Sequence, residues 1–380
     1  MEKDTLRPPF HPLAALAFWL WLAVLPGVAE PPTVRAAPAT ASAGVAPASS
    51  LPTSVPPVGR NQQGYILPFT PVPDHGGPLV KVRINGKFDA TFLIDTGSTD
   101  CYVSQALVSK IGLVTYSVTL PSSKGKSAHC VSFNSLGFQT EKADSPLIFQ
   151  PLDAPIIVAP DELLRLSSNL TVGGIIGANF LQNFAVNFDF SAHQIILITP
   201  GGLSAAQTRQ LGYTAGDEAV LPLTALGNYL YSLPVVLERG AVSQRADLQV
   251  DTGSKVTTIP RDTAQALSLV SEGRQPLTGG TVGYRVQIRS TVSVLALGDI
   301  RLLDRSVLYP DKGDYPSLLG MDILMGYKIL IDYPAHKVYL TPNLPLAPVQ
   351  IKPTAPTAPA PAAPPATAAT PVKPTPPAPK

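Results

Sequence analysis

Apolar residues fall in short alternating or continuous blocks bounded by Gly, Pro, Asn and Asp. Leu79–Ile84, Leu221–Leu223, Leu233–Leu237, Val282–Ile288 and Val292–Leu297 read as strands, since a period of two lines one face of a pleated chain. Asn85-Gly86 behind the first of them is a hairpin signal, because both residues tolerate the positive φ of a tight turn. Helical spacing is scarce. Val103, Leu107 and Ile111 recur every four residues, Pro260 is placed to open a helix through Ala264, Ala266 and Leu267, and Asp161–Leu166 is a third short candidate. The pattern predicts a mostly β protein with few short helices.

The longest apolar run, Leu13–Leu25, has thirteen residues, short of the ~20 that cross a bilayer. Lys3 and Arg7 precede it and small residues follow, so residues 1–29 read as a signal peptide. The chain is expected to be exported, periplasmic or extracellular, or membrane-anchored if the signal stays attached. Pro26-Gly27 speaks against an anchor by breaking the run where a membrane helix needs more length.

Composition sharpens the boundaries. Of 42 prolines in 380 residues, 11 lie in residues 1–60 and 14 in residues 341–380. The proline content between those ends is ordinary, so one folded unit is expected between an Ala/Pro-rich linker (30–61) and a Pro/Ala/Thr-rich disordered tail (345–380). That tail carries Lys352, Lys373 and Lys380 and no acid, which leaves contact with the cell envelope open. A formal net charge of +2 with no basic stripe excludes a nucleic-acid partner, which would need clustered cations against phosphates.

The middle of the chain repeats itself. Asp95-Thr96-Gly97-Ser98 recurs as Asp251-Thr252-Gly253-Ser254, an offset of 156. Ile175-Ile176-Gly177-Ala178-Asn179 recurs as Leu318-Leu319-Gly320-Met321-Asp322, an offset of 143 that continues through Asn187–Ile195 and Leu330–Val338. Both continuations read as hairpins. Duplicated halves follow: a first lobe at 62–200, a connection at 201–217 and a second lobe at 218–344.

An Asp delivered by an apolar strand onto a Thr-Gly turn is a turn cap in a single copy. In two copies related by a pseudo-twofold axis, Asp95 and Asp251 face each other instead. Two carboxylates roughly 3 Å apart share one proton. A water between them can then lose its proton to the ionised Asp while the protonated Asp polarises a carbonyl. Gly allows close backbone approach, and the Thr and Ser hydroxyls can fix the geometry.

These turns, each followed by an apolar-apolar-Gly block, resemble the pepsin and retropepsin aspartic peptidases over residues 62–342. The resemblance implies a bilobed fold of two retropepsin-like β-barrel halves, an endopeptidase, Asp95 and Asp251 as the catalytic dyad and no cofactor. It also implies that Thr96 and Thr252 interlock across the axis. Ser98 and Ser254 would bond the carboxylates, and Gly177 and Gly320 would be structural. The Arg–Asp pair of many retropepsins is missing: Ala178 and Met321 hold the Arg position, Thr99 and Lys255 the Asp position. The implied partner is an extended peptide or protein substrate, taken by a monomer with pseudo-twofold symmetry. A non-catalytic peptide-binding or scaffold protein that keeps the fold is the alternative.

Other residues change little. Cys101 and Cys130 are the only cysteines, and in an exported chain a disulfide between them is favoured over two buried free thiols. No His/Cys cluster has metal spacing, and His193 and His336 read as turn residues. Ser123–Lys126, Gly279–Gly283 and Tyr284 are flap candidates, with ordinary loops as the other reading.

Overall fold

The structure, a computed structural model, describes residues 64–343 except 74, 121–126, 141–146, 150–154, 168, 199–202, 214–218, 278–284 and 314. All of them belong to the unit Met1–Leu344. The signal, linker and tail readings and both flap candidates, Tyr284 included, lie outside the described residues.

The described chain is mostly β. Its strands form a fifteen-stranded sheet, a seven-stranded sheet and one isolated two-stranded ribbon. Six strands at one end of the large sheet make a floor shared by both halves. Ala219–Pro222, Lys337–Pro342 and Tyr327–Asp332 come from the second half, and Ala185–Asp189, Gln194–Ile198 and Tyr65–Pro71 from the first. At the junction Asn187 pairs Leu330 and Val186 pairs Ile331. Asn187 and Leu330 are repeat mates, so the pseudo-twofold axis runs through this pair. The central positions of the two junction strands, Ala185–Asp189 and Tyr327–Asp332, are buried on both faces, whereas Tyr65–Pro71 and Lys337–Pro342 alternate.

Tyr65–Pro71 uses both edges. Residues 65–68 pair with Gln194–Ile198 in the floor, and residues 69–71 bend away to pair with Pro78–Ile84 of the first half. Pro78–Ile84 turns through Asn85-Gly86, at φ 52° and 68°, into Phe88–Ile94, the primed turn that suits a right-twisted hairpin. In the second half, Leu230–Arg239 and Val242–Val250 form the matching hairpin.

Neither sheet closes into the expected barrel among the described residues. The outer strands Tyr116–Thr119 and Ala219–Pro222 each have one partner. Tyr65–Pro71 divides its length, residues 65–68 pairing in the floor and residues 69–71 with Pro78–Ile84, so only three of its residues serve the first half's own sheet. The two segments expected at Val282–Ile288 and Val292–Leu297 merge into one long strand, Arg285–Leu297.

The expected helices are short. Gln105–Ile111 is capped by Ser104, which accepts from the Leu107 amide; Val103, one of the periodic residues, belongs instead to the strand Tyr102–Ser104. Arg261–Ala266 starts behind Pro260. Asp161–Leu164 is a single 3₁₀ turn, with Leu166 in a strand. A fourth helix, Ala205–Gln210, lies in the connection between lobes, where Ser204 and Gln207 form a reciprocal capping box. Two one-turn helices, Ala178–Leu181 and Met321–Leu324, follow the block glycines. In the first half Phe138, Phe149, Phe180 and Phe184 pack with ring centres 5.1–5.8 Å apart. That cluster anchors the helix after Gly177 to the core, each pair adding about 0.5–1.5 kcal/mol to area burial.

Candidate active site

Each catalytic turn is placed by a parallel strand pair. Phe88–Ile94 runs beside Gly174–Ile176, and Val242–Val250 runs beside Leu318–Leu319. The Asp95 amide donates to the Ile176 carbonyl at 3.0 Å and the Asp251 amide to that of Leu319 at 3.1 Å. The chain after each block glycine then latches onto the turn: Ala178 N–H donates to Ser98 O and Met321 N–H to Ser254 O, both at 2.8 Å. A Cβ on Gly177 would overlap the Asp100 carbonyl oxygen, and one on Gly320 would stand 2.5 Å from the Val256 carbonyl. Only glycine lets these segments pass so closely.

The turns meet across the axis. The Thr96 hydroxyl donates to Val250 O and the Thr252 hydroxyl to Ile94 O, both at 2.8 Å. Each hydroxyl oxygen in turn accepts the other threonine's amide at 3.1 Å. These four bonds tie each turn to the strand that delivers the opposite Asp. They bring the Asp95 and Asp251 carboxyls within hydrogen-bonding reach of one another. Gly97 lies against the Asp251 carboxyl and Gly253 against that of Asp95, each with no room for a Cβ.

The two carboxyls are unequal. Both are almost buried, at 8% and 9% exposure, so the difference lies in their donors. Asp95 accepts the Gly97 amide at 2.8 Å, the Ser98 amide at 3.2 Å and the Ser98 hydroxyl at 2.7 Å. Asp251 accepts the Gly253 amide at 2.9 Å and faces the Ser254 amide, but the Ser254 hydroxyl turns away and donates to Val256 O at 2.9 Å. Ser254 therefore does not take the expected hydroxyl contact with its carboxylate; the nearby Val256 carbonyl competes for the proton. Burial and the neighbouring Asp95 charge push the Asp251 pKa well above the usual carboxylate range.

Further ties join the chain after each block glycine to the segment behind the catalytic turn, next to the positions of the missing Arg–Asp pair. In the second half the Thr257 hydroxyl and amide donate to Asp322 at 2.7 and 3.0 Å. In the first half the Cys101 thiol donates to Asn179 Oδ1 at 3.1 Å. Cys101 and Thr257 are mates at the offset of 156, and Asn179 and Asp322 are mates at 143. The expected Cys101–Cys130 disulfide is not formed. Both are buried free thiols, and Cys101 Sγ is committed to Asn179 and to the Gly177 amide. Burial raises the Cys101 pKa to about 12, so it is a packing thiol and no nucleophile.

Two more side chains grip the turns from the opposite half. Gln249 Nε2 donates to Gly97 O at 3.0 Å, and His75 Nε2 lies 2.7 Å from Gly253 O. Sequence reasoning missed both, since neither takes part in the repeated motif. His193 and His336 sit at φ 54° and 53° in hairpin turns. No group of three or more His, Cys, Asp or Glu suited to a metal occurs among the described residues.

Paired Asp-Thr-Gly-Ser turns on duplicated β halves, interlocked through threonines over a shared strand floor, define an aspartic-protease architecture. The comparisons place both halves in that class. Residues 80–180 match the family model described as "Aspartyl protease", and residues 243–325 match the one described as "gag-polyprotein putative aspartyl protease". The two matches, one in each half, are consistent with duplicated retropepsin-like halves. Among solved structures it is similar to conglutin gamma, a basic 7S globulin from lupine seeds, at 11% identity over 73% of this chain and 94% of that one, with a TM-score of 0.46. It is also similar to Basic 7S globulin from soybean, at 12% identity over 73% and 94% of the two chains, with a TM-score of 0.45. A search of curated proteins gave no significant match.

Proposed function

We propose that the chain is an exported aspartic endopeptidase that acts as a monomer, its single site shared between the two halves. The observation that carries this reading is the dyad: two nearly buried carboxyls within hydrogen-bonding reach, held by interlocked turns and given unequal donors. A protein that needed only the fold would have no use for an unscreened carboxylate pair, which is costly to hold in a low-dielectric site.

The unequal donors support a division of roles. Asp95, with three donors, carries the charge and takes a proton from the attacking water. Asp251, buried and short of donors, holds the shared proton and gives its hydrogen bond to the scissile carbonyl oxygen. Attack yields a tetrahedral diol, and proton transfer to the amide nitrogen releases the amine. Turns that are fixed before the substrate arrives need no rearrangement at the transition state. The substrate is an extended peptide.

The test is cleavage of an unfolded protein by the full chain between about pH 3 and 7, the range in which carboxylate pairs titrate. Asp95→Asn and Asp251→Asn are each expected to abolish activity. Cleavage that survives either change would refute the shared site. Absence of cleavage by a folded parent over the whole range would refute the peptidase reading.

A further inference from the structure

The two catalytic turns are each held by a side chain from the opposite half, but with different chemistry. Gly97–Ser98 and Gly253–Ser254 are equivalent peptide units. The Ser98 amide faces Asp95 and the Ser254 amide faces Asp251. The carbonyl of the first unit accepts from Gln249, whose amide does not titrate in the physiological range; the carbonyl of the second faces His75. A donor on a peptide carbonyl polarises that peptide and strengthens donation from its own N–H. Gln249 thus acts on Asp95, and His75 on Asp251, through one peptide unit each.

The partners of His75 fix its protonation. Gly253 O can only accept, so Nε2 carries the proton. The Gly77 amide can only donate, and it donates to Nδ1 at 3.0 Å. Both ring nitrogens are satisfied only in the neutral ring. A proton on Nδ1 would set two N–H groups against each other. The ring sits on the loop Val72–Pro78, which closes on itself through Val72 N–H to Gly77 O at 2.8 Å. Gly76 adopts φ 80° against Met325 of the second half, and a Cβ on Gly77 would come within 3.0 Å of Thr252 O. The loop therefore crosses to the second half, and His75 is half-buried where it lands.

We propose that His75 is a positioning residue that holds the second catalytic turn through two satisfied ring contacts while neutral and, when protonated, loses its seat on the Gly77 amide and with it the fixed geometry of that hold, which sets an acid limit on activity that the first turn does not have. The inference rests on the peptidase reading of the site. Burial lowers the His75 pKa, so the neutral, holding form persists into mildly acidic conditions. Among the described residues, the charged groups that bear on the ring are Asp95, which favours its protonation, and Lys255, which opposes it. At position 231, the repeat mate of His75, stands a tyrosine that packs on Tyr333 and His336, so the device belongs to one half only.

The test compares the full chain with His75→Gln, which keeps a donor and an acceptor but does not titrate, and with His75→Ala. At about pH 4, His75→Gln is expected to retain at least about threefold more of its near-neutral kcat than the parent does of its own. His75→Ala is expected to lower kcat by about tenfold at all pH values while KM changes by less than about twofold. Superimposable normalised profiles for the parent and His75→Gln would overturn the proposal.

A second readout works without catalysis. Gly-Ser occurs in this chain only at 97–98 and 253–254. Carbonyl-labelled glycine with ¹⁵N-serine therefore lights only the two catalytic turns, assigned through Ser98→Thr. The Gly253–Ser254 signal is expected to show a step that follows the His75 ring and is absent from Gly97–Ser98. Two signals following one curve would overturn the inference. If the parent cleaves nothing, the proposed function fails and this titration alone decides; if His75→Gln does not fold, the titration of the parent decides.

Discussion

Thr252→Val probes the interlock with little change in shape. The substitution removes the hydroxyl that donates to Ile94 O and accepts the Thr96 amide, at 2.8 and 3.1 Å, from a side chain with no exposed surface. Both partners are then buried without a replacement, since the isosteric valine admits no water. An orphaned buried polar group costs about 1–3 kcal/mol, so the two together cost about 2–6 kcal/mol. For a domain with a total stability of about 5–15 kcal/mol that is a large fraction. The assay is equilibrium unfolding in guanidinium chloride, followed by near-ultraviolet circular dichroism, with Thr252→Ser as control. Serine keeps both bonds and loses one methyl group, about 1 kcal/mol. Thr96→Val, which removes the bonds to Val250 O and from the Thr252 amide, should cost about as much as Thr252→Val. A loss below about 1 kcal/mol for Thr252→Val, or equal losses for the valine and serine variants, would refute the assignment of stability to these bonds.

Other expectations follow from the same contacts. Gly177→Ala drives a Cβ into the Asp100 carbonyl and should cost more than about 4 kcal/mol or prevent soluble expression, read by the same unfolding curve. Asp322 has a folded pKa raised by burial, so it disfavours the fold as pH rises through that value; Asp322→Asn, which copies its repeat mate Asn179, should gain on the parent in denaturant midpoint between acidic and neutral pH. The native chain should resist a thiol reagent at pH 8 and yield two thiols per chain when denatured without reductant, whereas a disulfide would yield none. Ser254→Ala, whose hydroxyl bonds Val256 O, should leave the pH profile of cleavage unchanged, while Ser98→Ala, which strips a charge-assisted bond from Asp95, should lower kcat by about tenfold or more.

What the sequence made legible is what repeats. The offset of 143 between hairpins reappears as the direct pairing of Asn187 with Leu330 across the half boundary. The offset of 156 between turns reappears as the reciprocal threonine bonds. Apolar periodicity also found the strands that deliver both Asp residues, because those strands are buried by one half's own core. It misjudged elements whose form depends on partners far along the chain. Barrel closure depended on how much of Tyr65–Pro71 serves the first half, and pairing with Gln194–Ile198 takes residues 65–68. Cysteine counting favoured a bridge because it could not see that Asn179 and the Gly177 amide occupy the Cys101 sulfur. His75 carried no periodic or motif signal. Its partners lie 2 and 178 residues away, and only the folded loop joins them.

The same comparison shows where duplicated halves have parted. Contacts that define the axis are kept in identical form: the threonine interlock, the block glycines and the amides that latch onto each turn. Three side-chain contacts one bond further out differ between the halves. Cys101 with Asn179 answers Thr257 with Asp322, Ser98 on its carboxylate answers Ser254 on a carbonyl, and Gln249 answers His75. Such a split has a physical reason. The axis contacts are shared by both turns, so a change in one must be matched in the other, and isolated substitutions there leave buried groups unpaired. The outer contacts each serve one turn and can vary singly. A symmetric dyad must choose at random which carboxyl bears the proton, whereas a single chain can bias that choice through these outer positions. The unequal donors around Asp95 and Asp251 are such a bias, available to one chain and closed to a dimer of identical ones.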